Sequence, residues 1–233
     1  MVKSLAPLAL LAAVAVATPV ELAKRSDPLG IDVSGYQPSV DWSTVKSNGV
    51  TWAYIKATEG TTYTSPSFSS QYDGATKAGI IRGAYHFAHP DSSTGAAQAD
   101  YFVKNGGGWS GDGLTLPGAL DIEYNPSGAT CYGLSASAMV SWVKSFSDEY
   151  HSKTSRYPVI YTTTDWWTQC TGNSASFATN NPLWIARYSS SIGTLPAGWD
   201  YATFWQYADS GSNPGDADKF NGDAAGLKKI ATG

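Results

Sequence analysis

The sequence predicts an α/β fold, a modified TIM-type β/α barrel whose last helices are missing or reduced. Three observations carry this. Eight apolar strand-like runs recur between residues 30 and 220, spaced by roughly 20–40 residues over most of that length. Most are apolar throughout instead of alternating, as parallel strands buried on both faces should be. Helical patterns separate the early runs, whereas Ser189-Ser-Ser-Ile-Gly-Thr-Leu-Pro-Ala-Gly198 offers none.

The elements follow in order. Gly30–Ser34 is the first strand, and a short helix over Trp42–Ser47 ends at Asn48-Gly49. Strand Thr51–Thr58 leads to a helix over Phe68–Lys77, stopped by Gly79. Strand Ile80–Phe87 leads to a helix over Ala96–Lys104, stopped by Asn105-Gly106. After strand Gly118–Tyr124 comes the clearest helix, Ser135–His151. Met139, Trp142, Val143, Phe146 and Tyr150 fall on one stripe of it, with Ser135 as N-cap. Strands Pro158–Thr162, Leu183–Arg187 and Ala202–Tyr207 follow, with a weak eighth at Asp216–Phe220.

In such barrels functional groups collect at the carboxyl ends of the strands. Polar residues stand there repeatedly: Asp32, Lys56 and Glu59, His86, Asp121 and Glu123, Tyr161, Arg187 and Gln206. Asp121 and Glu123 are the most informative. At i and i+2 on a strand they share a face, with Leu120 and Ile122 on the other. Two carboxyls this close in a partly apolar cleft cannot both ionise freely, so one pKa should rise and the other stay low. A proton donor beside an anion is what cleavage of a glycosidic bond needs.

Composition narrows the function. Lys3, the apolar run Leu5–Val16 and the small residues Ala15-Val-Ala-Thr18 read as a secretory signal peptide over 1–18. Residues 19–25 read as a short pro-segment ending at Lys24-Arg25, and 26–233 as one domain. The formal charge is −4, and removing Lys3, Lys24, Arg25 and Glu21 takes it to −6. An acidic body argues against nucleic acid. The leader's apolar stretch is too short to span a bilayer, and no other segment reads as transmembrane. Nine Trp and 14 Tyr suit a sugar cleft, where flat rings meet pyranose faces, although most should pack the core. Cys131 and Cys170, two cysteines in an oxidising compartment, should form one disulfide. Neither they nor His86, His89 and His151 show metal-ligand spacing.

Eight ordered motifs then match a known family: Gly30-Ile-Asp-Val-Ser-Gly-Tyr-Gln37, Tyr54-Ile-Lys-Ala-Thr-Glu-Gly60, Gly83-Ala-Tyr-His-Phe87, Leu120-Asp-Ile-Glu123, Pro158-Val-Ile-Tyr161, Leu183-Trp-Ile-Ala-Arg187, Trp205-Gln-Tyr207 and Asp216-Ala-Asp-Lys-Phe-Asn-Gly222. The chain resembles the glycoside hydrolase family 25 lysozymes, the Chalaropsis-type muramidases. The resemblance implies a barrel of about five β/α units plus further strands. It also implies hydrolysis of the β-1,4 bond between N-acetylmuramic acid and N-acetylglucosamine in bacterial peptidoglycan. By position, Glu123 is the general acid, Asp121 its companion, and Asp32 and Asp216 two further acids of the floor. The family's last motif usually reads Asp-x-Asn, and Asp218 stands here in place of that Asn. Tyr85, Tyr161, Trp184 and Trp205 match cleft positions. The reading requires no metal or cofactor, and a monomer is expected.

Two mechanisms stay open: attack by the substrate's own 2-acetamido group, with Asp121 orienting it, or a covalent intermediate on Asp121. A chitinase of the D-x-D-x-E type would need an acid at position 119, where Ala119 stands. A wall-binding barrel without activity would have lost the acids that remain here. His86 reads either as a site residue or as a core histidine. Arg187 reads as a bridge between barrel carboxylates, and Trp166-Trp167 as a cleft lip or as packing near Cys170.

Overall fold

The computed structural model describes Met1–Val2 and residues 27–233. The leader, the dibasic Lys24-Arg25 and Ser26 lie outside the described residues. The strands are β1 (Leu29–Val33), β2 (Val50–Glu59), β3 (Tyr63–Thr64), β4 (Ile81–Phe87), β5 (Ala119–Asp121), β6 (Val159–Thr162), β7 (Leu183–Ala186), β8 (Phe204–Ala208) and β9 (Asp216–Phe220). The helices are α1 (Trp42–Ser47), α2 (Phe68–Lys77), α3 (Gly95–Phe102), α4 (Ala136–Thr154), α5 (Thr164–Thr171) and α6 (Ala224–Thr232). The sheet runs β1-β9-β8-β7-β6-β5-β4-β2-β3, and pairing of β1 with β2 closes it. With β3 set aside as a short strand on the tip of β2, the barrel has eight strands and five β/α units. β9 runs antiparallel to both its neighbours, whereas the other barrel pairings are parallel.

Alternation along each strand sorts its side chains. On β2, Trp52 and Tyr54 point into the barrel, while Ala53 and Ile55 pack outward beneath α1 and α2. The lower interior is an aromatic stack: Tyr54 lies on Trp184 at 4.8 Å and Trp52 meets Phe204 at 4.7 Å. Gly30 makes this possible, since a Cβ there would meet the Trp52 ring at 2.1 Å. Leu227 and Ala231 of α6 join this interior cluster. The remaining core lies between the sheet and α3, α4 and α5, where the Met139 to Tyr150 stripe is buried as its spacing predicts.

The structure departs from the sequence reading in detail. α3 ends two residues early and passes into a wide turn over Val103–Gly107. β5 keeps ladder pairing for only three residues, so Glu123 stands past its end. Two helices went unread. α5 is capped by Thr163, which accepts from the Trp166 N–H, and α6 by Asp223, which accepts from Gly226 at 2.7 Å. No helix separates β7 from β8 or β8 from β9, as expected of the late units. Cys131 and Cys170 form the disulfide, with Cα atoms 5.2 Å apart.

Candidate active site

Above the aromatic stack the barrel opens into a cleft of about 340 Å³. Each of the eight barrel strands sends at least one side chain into it, among them Asp32, Lys56, Tyr85, Asp121, Tyr161, Trp184, Gln206 and Asp216. Glu59, Glu123 and the turn residues Tyr36 and Gln37 complete the wall. The period of two explains the ring, because each parallel strand brings an inward residue to this level toward its carboxyl end, and antiparallel β9 brings one at its start.

Asp121 and Glu123 are neighbours in the cleft, and each shifts the other's proton affinity. Burial, and then the charge of Glu123, push Asp121 well above the carboxylate range. Burial also raises Glu123, against Asp121 and the nearby Lys56 ammonium. The sequence reading keeps Asp121 low and raises Glu123, whereas in the structure both are raised. The reason is position. Asp121 is only 6% exposed inside the barrel and its Oδ1 has no partner among the described residues, whereas Glu123 stands beyond the strand end in the more open cleft. Two carboxyls this close disfavour each other's ionisation, so they titrate as a pair. Lys56 is tethered by Glu59 at 2.6 Å, and Glu59 in turn by His89 at 2.8 Å.

The second acid group is organised by Gln206. Its amide nitrogen donates to Asp32 at 2.7 Å and to Asp216 at 3.0 Å. Its amide oxygen accepts from Tyr161 at 2.8 Å and Tyr188 at 3.1 Å. Burial and then the charge of Asp216 lift Asp32 to about 7, against hydrogen bonds with Gln206 and Asp218. Gly215 lets β9 begin here: at φ +78, a Cβ would also strike the Asp32 carbonyl oxygen at 2.0 Å. Burial and the surrounding acids raise Tyr85 and Tyr161 well above the usual phenol range, so both stay neutral donors.

The structure thus brings together Glu123, Asp121, Asp32, Asp216, Tyr85, Tyr161 and Trp184. Trp205 is not among them. It lies one residue out of phase with inward Gln206, donates to the Arg187 carbonyl at 2.9 Å and packs at the outer face under Lys219. His86 is a core histidine: it is fully buried, bonded to Thr58 at 2.7 Å and Gln98 at 2.9 Å, and lowered to about 4 chiefly by burial. Arg187 is exposed, apart from the cleft, and bridges none of its carboxylates. Trp166 and Trp167 are fully buried beside Cys170. The sequence reading assigned no role to Tyr36, 93% exposed on the rim, or to Tyr188; an aromatic in a polar turn beside a motif was the available signal.

Comparison with known proteins agrees with this geometry. The profile of glycosyl hydrolases family 25 matches residues 31–216. An N,O-diacetylmuramidase of a Chalaropsis species is 57% identical over 208 residues, 88% of this chain and 99% of that protein. A muramidase structure from Acremonium alcalophilum is 64% identical with a TM-score of 0.87, covering 88% of this chain and 99% of that one. A family 25 lysozyme structure from Aspergillus fumigatus is 56% identical with a TM-score of 0.88, covering 89% and 100%. A barrel of this connectivity, with its carboxyls gathered at the open end and its sequence matched over nearly the whole domain, places the chain in glycosyl hydrolases family 25.

Proposed function

We propose that this protein is an extracellular, monomeric muramidase that hydrolyses the β-1,4 bond between N-acetylmuramic acid and N-acetylglucosamine in bacterial peptidoglycan. The observation that supports this best is the buried Asp121 carboxyl beside Glu123 at the open end of the barrel. The N,O-diacetylmuramidase of the Chalaropsis relative, 57% identical, supports the same substrate.

In this reading Glu123 gives the proton to the leaving oxygen. As positive charge develops at the anomeric carbon, the anionic form of Asp121 becomes favoured. The pair's proton then passes to Glu123 and on to the sugar. Asp121 orients the 2-acetamido group, whose oxygen attacks the anomeric carbon, and Glu123 later takes a proton from the incoming water. Asp32 and Asp216, fixed by Gln206, add negative charge facing the developing cation. Tyr85, Tyr161 and Trp184 offer apolar faces and hydroxyl donors to the sugar ring. Two carboxyls and the substrate's own acetamido group supply donor, base and nucleophile, so the scheme calls on no metal or cofactor.

Glu123→Gln keeps shape and removes the proton. It should lower clearing of a bacterial wall suspension by at least ~10²-fold, with chitin remaining a poor substrate for the wild type. Clearing above a tenth of the wild-type rate would refute the assignment. Trapping a glycosyl ester on Asp121 would replace acetamido participation with covalent catalysis.

A further inference from the structure

We propose that Asp218 is a protonated carboxyl in the resting protein, and that it is the hydrogen-bond donor that holds Asp32 as an oriented anion at the cleft floor. Asp218 is then a positioning residue, acting on the substrate only through Asp32.

The argument starts from register. Asp218 follows Asp216 by two residues on β9, so both face the barrel interior, Asp218 one step deeper. It lies across from Gly30 on one side and Gln206 on the other, and none of its surface reaches solvent. Its Oδ1 accepts from the Trp184 indole at 2.8 Å. Its Oδ2 has no partner among the described residues. Asp32 pairs with Asp216 on the neighbouring strand, two residues along from Asp218, and the Asp32 and Asp218 carboxyls interact.

The donors around it are spent elsewhere. The Gln206 amide is committed to Asp32 and Asp216, the Tyr54 hydroxyl to the Pro117 carbonyl at 2.9 Å, and the Tyr161 hydroxyl to Gln206. Lys219, next in sequence, points to the outer face and sits over the Tyr207 ring at 4.7 Å. The charged groups that face Asp218 are Asp32 and Asp216, both acids. An anion here would be a buried charge with one hydrogen bond and two like-charged neighbours, which low-dielectric surroundings do not tolerate.

A proton resolves both difficulties. It removes the charge and turns the orphan oxygen into a donor, with the Asp32 carboxylate in reach to accept. Of the two acids Asp218 is the one to carry it, because Asp32 reaches the cleft and already accepts from Gln206, a bond that favours its anion. The electrostatics agree in direction. Burial and then the charge of Asp32 push Asp218 far up, while the same contact pulls Asp32 down.

Infrared spectroscopy of the whole protein reads the proton directly. Near pH 8.5, above the value of about 7 to which Asp32 is lifted, the wild-type minus Asp218→Asn difference spectrum should contain the carbonyl stretch of a neutral carboxylic acid; Asp121→Asn locates any band of the catalytic pair. A difference spectrum containing only carboxylate bands would overturn the proposal. The consequence for turnover rests on the muramidase reading. Asp218→Asn, an amide that donates without a proton to lose, should retain at least ~30% of kcat, and Asp218→Ala should lose at least ~10-fold. If Asn falls as far as Ala, the donor role is wrong. If instead Glu123→Gln stays active, the muramidase reading fails while the infrared result stands. Should the Ala variant not fold, the Asn variant and the infrared band decide.

Discussion

Replacing Asp32 with Asn should make the protein more stable near neutrality while damaging its activity. Asp32 is lifted from an ordinary 3.8 to about 7 in the folded protein. A carboxyl whose folded pKa is raised contributes stability that is fully present below its unfolded pKa and lost as pH rises through the folded value. Asn cannot ionise, so the variant escapes this loss. The shift corresponds to a gain of about 4 kcal/mol near pH 8, about 3 near pH 6 and under about 1 near pH 4. Asp32 is only 9% exposed, so solvent screening removes little of this. The variant must be compared with the wild type at each pH, because His86 imposes an opposite trend on both. Its folded pKa of about 4 costs the protein stability as pH falls below 6.5. Urea unfolding at three pH values, with the disulfide intact, measures the difference. A variant less stable than wild type near pH 8, or a gain that does not shrink toward pH 4, would refute the electrostatic reasoning.

Replacing Cys131 and Cys170 together by Ala should cost roughly 2–4 kcal/mol with activity retained, measured by denaturant unfolding; the bridge spans 39 residues and lies on the helical side of the sheet. Free thiols titrating in the unreduced protein would contradict it. Lys56→Met should move the alkaline limb of the activity profile to higher pH. Lys56 favours the anionic forms of both Asp121 and Glu123, and its loss leaves Glu59 held by His89 alone. A limb that stays in place on soluble muropeptides would show that Lys56 does not set the proton affinity of the pair.

Much of the barrel was legible because its signals are local. Period-two alternation placed Leu120 and Ile122 outside and Asp121 inside without knowledge of the partners. The cap at Ser135 and the stripe from Met139 to Tyr150 defined α4. α5 was missed because its apolar residues, Trp166, Trp167 and Cys170, fit a buried patch as well as a helical stripe, and Thr163 reads as the end of a strand. Trp205 was misplaced by position. Its motif lies at the right level of β8, but the inward residue is its neighbour Gln206, and only the pairing register tells them apart. That burial raises Asp121 along with Glu123 was likewise beyond spacing, because it depends on how deep each sits relative to the three paired residues of β5.

The rule that functional groups stand at the carboxyl ends of strands found Asp32, Lys56, Asp121, Tyr161 and Gln206, yet it could not find Asp216 or Asp218. Both stand in the first half of β9. In a wholly parallel barrel that would place them at the closed end, among Trp52 and Phe204. β9 instead runs antiparallel between β8 and β1, so its start pairs with the ends of both: Asp216 with Asp32, Asp218 with Gln206. A reversed last strand needs no crossover helix, only the loop of residues 209–215 that Gly215 ends at positive φ. The lack of a helix between β8 and β9 and the gathering of acids at the cleft floor therefore have one cause. Reversal shortens the connection, and the same reversal delivers two further carboxyls to the open end. Asp216 and Asp218 come from one strand, two residues apart, and that spacing sets the deeper one against Asp32 with no cation to meet it.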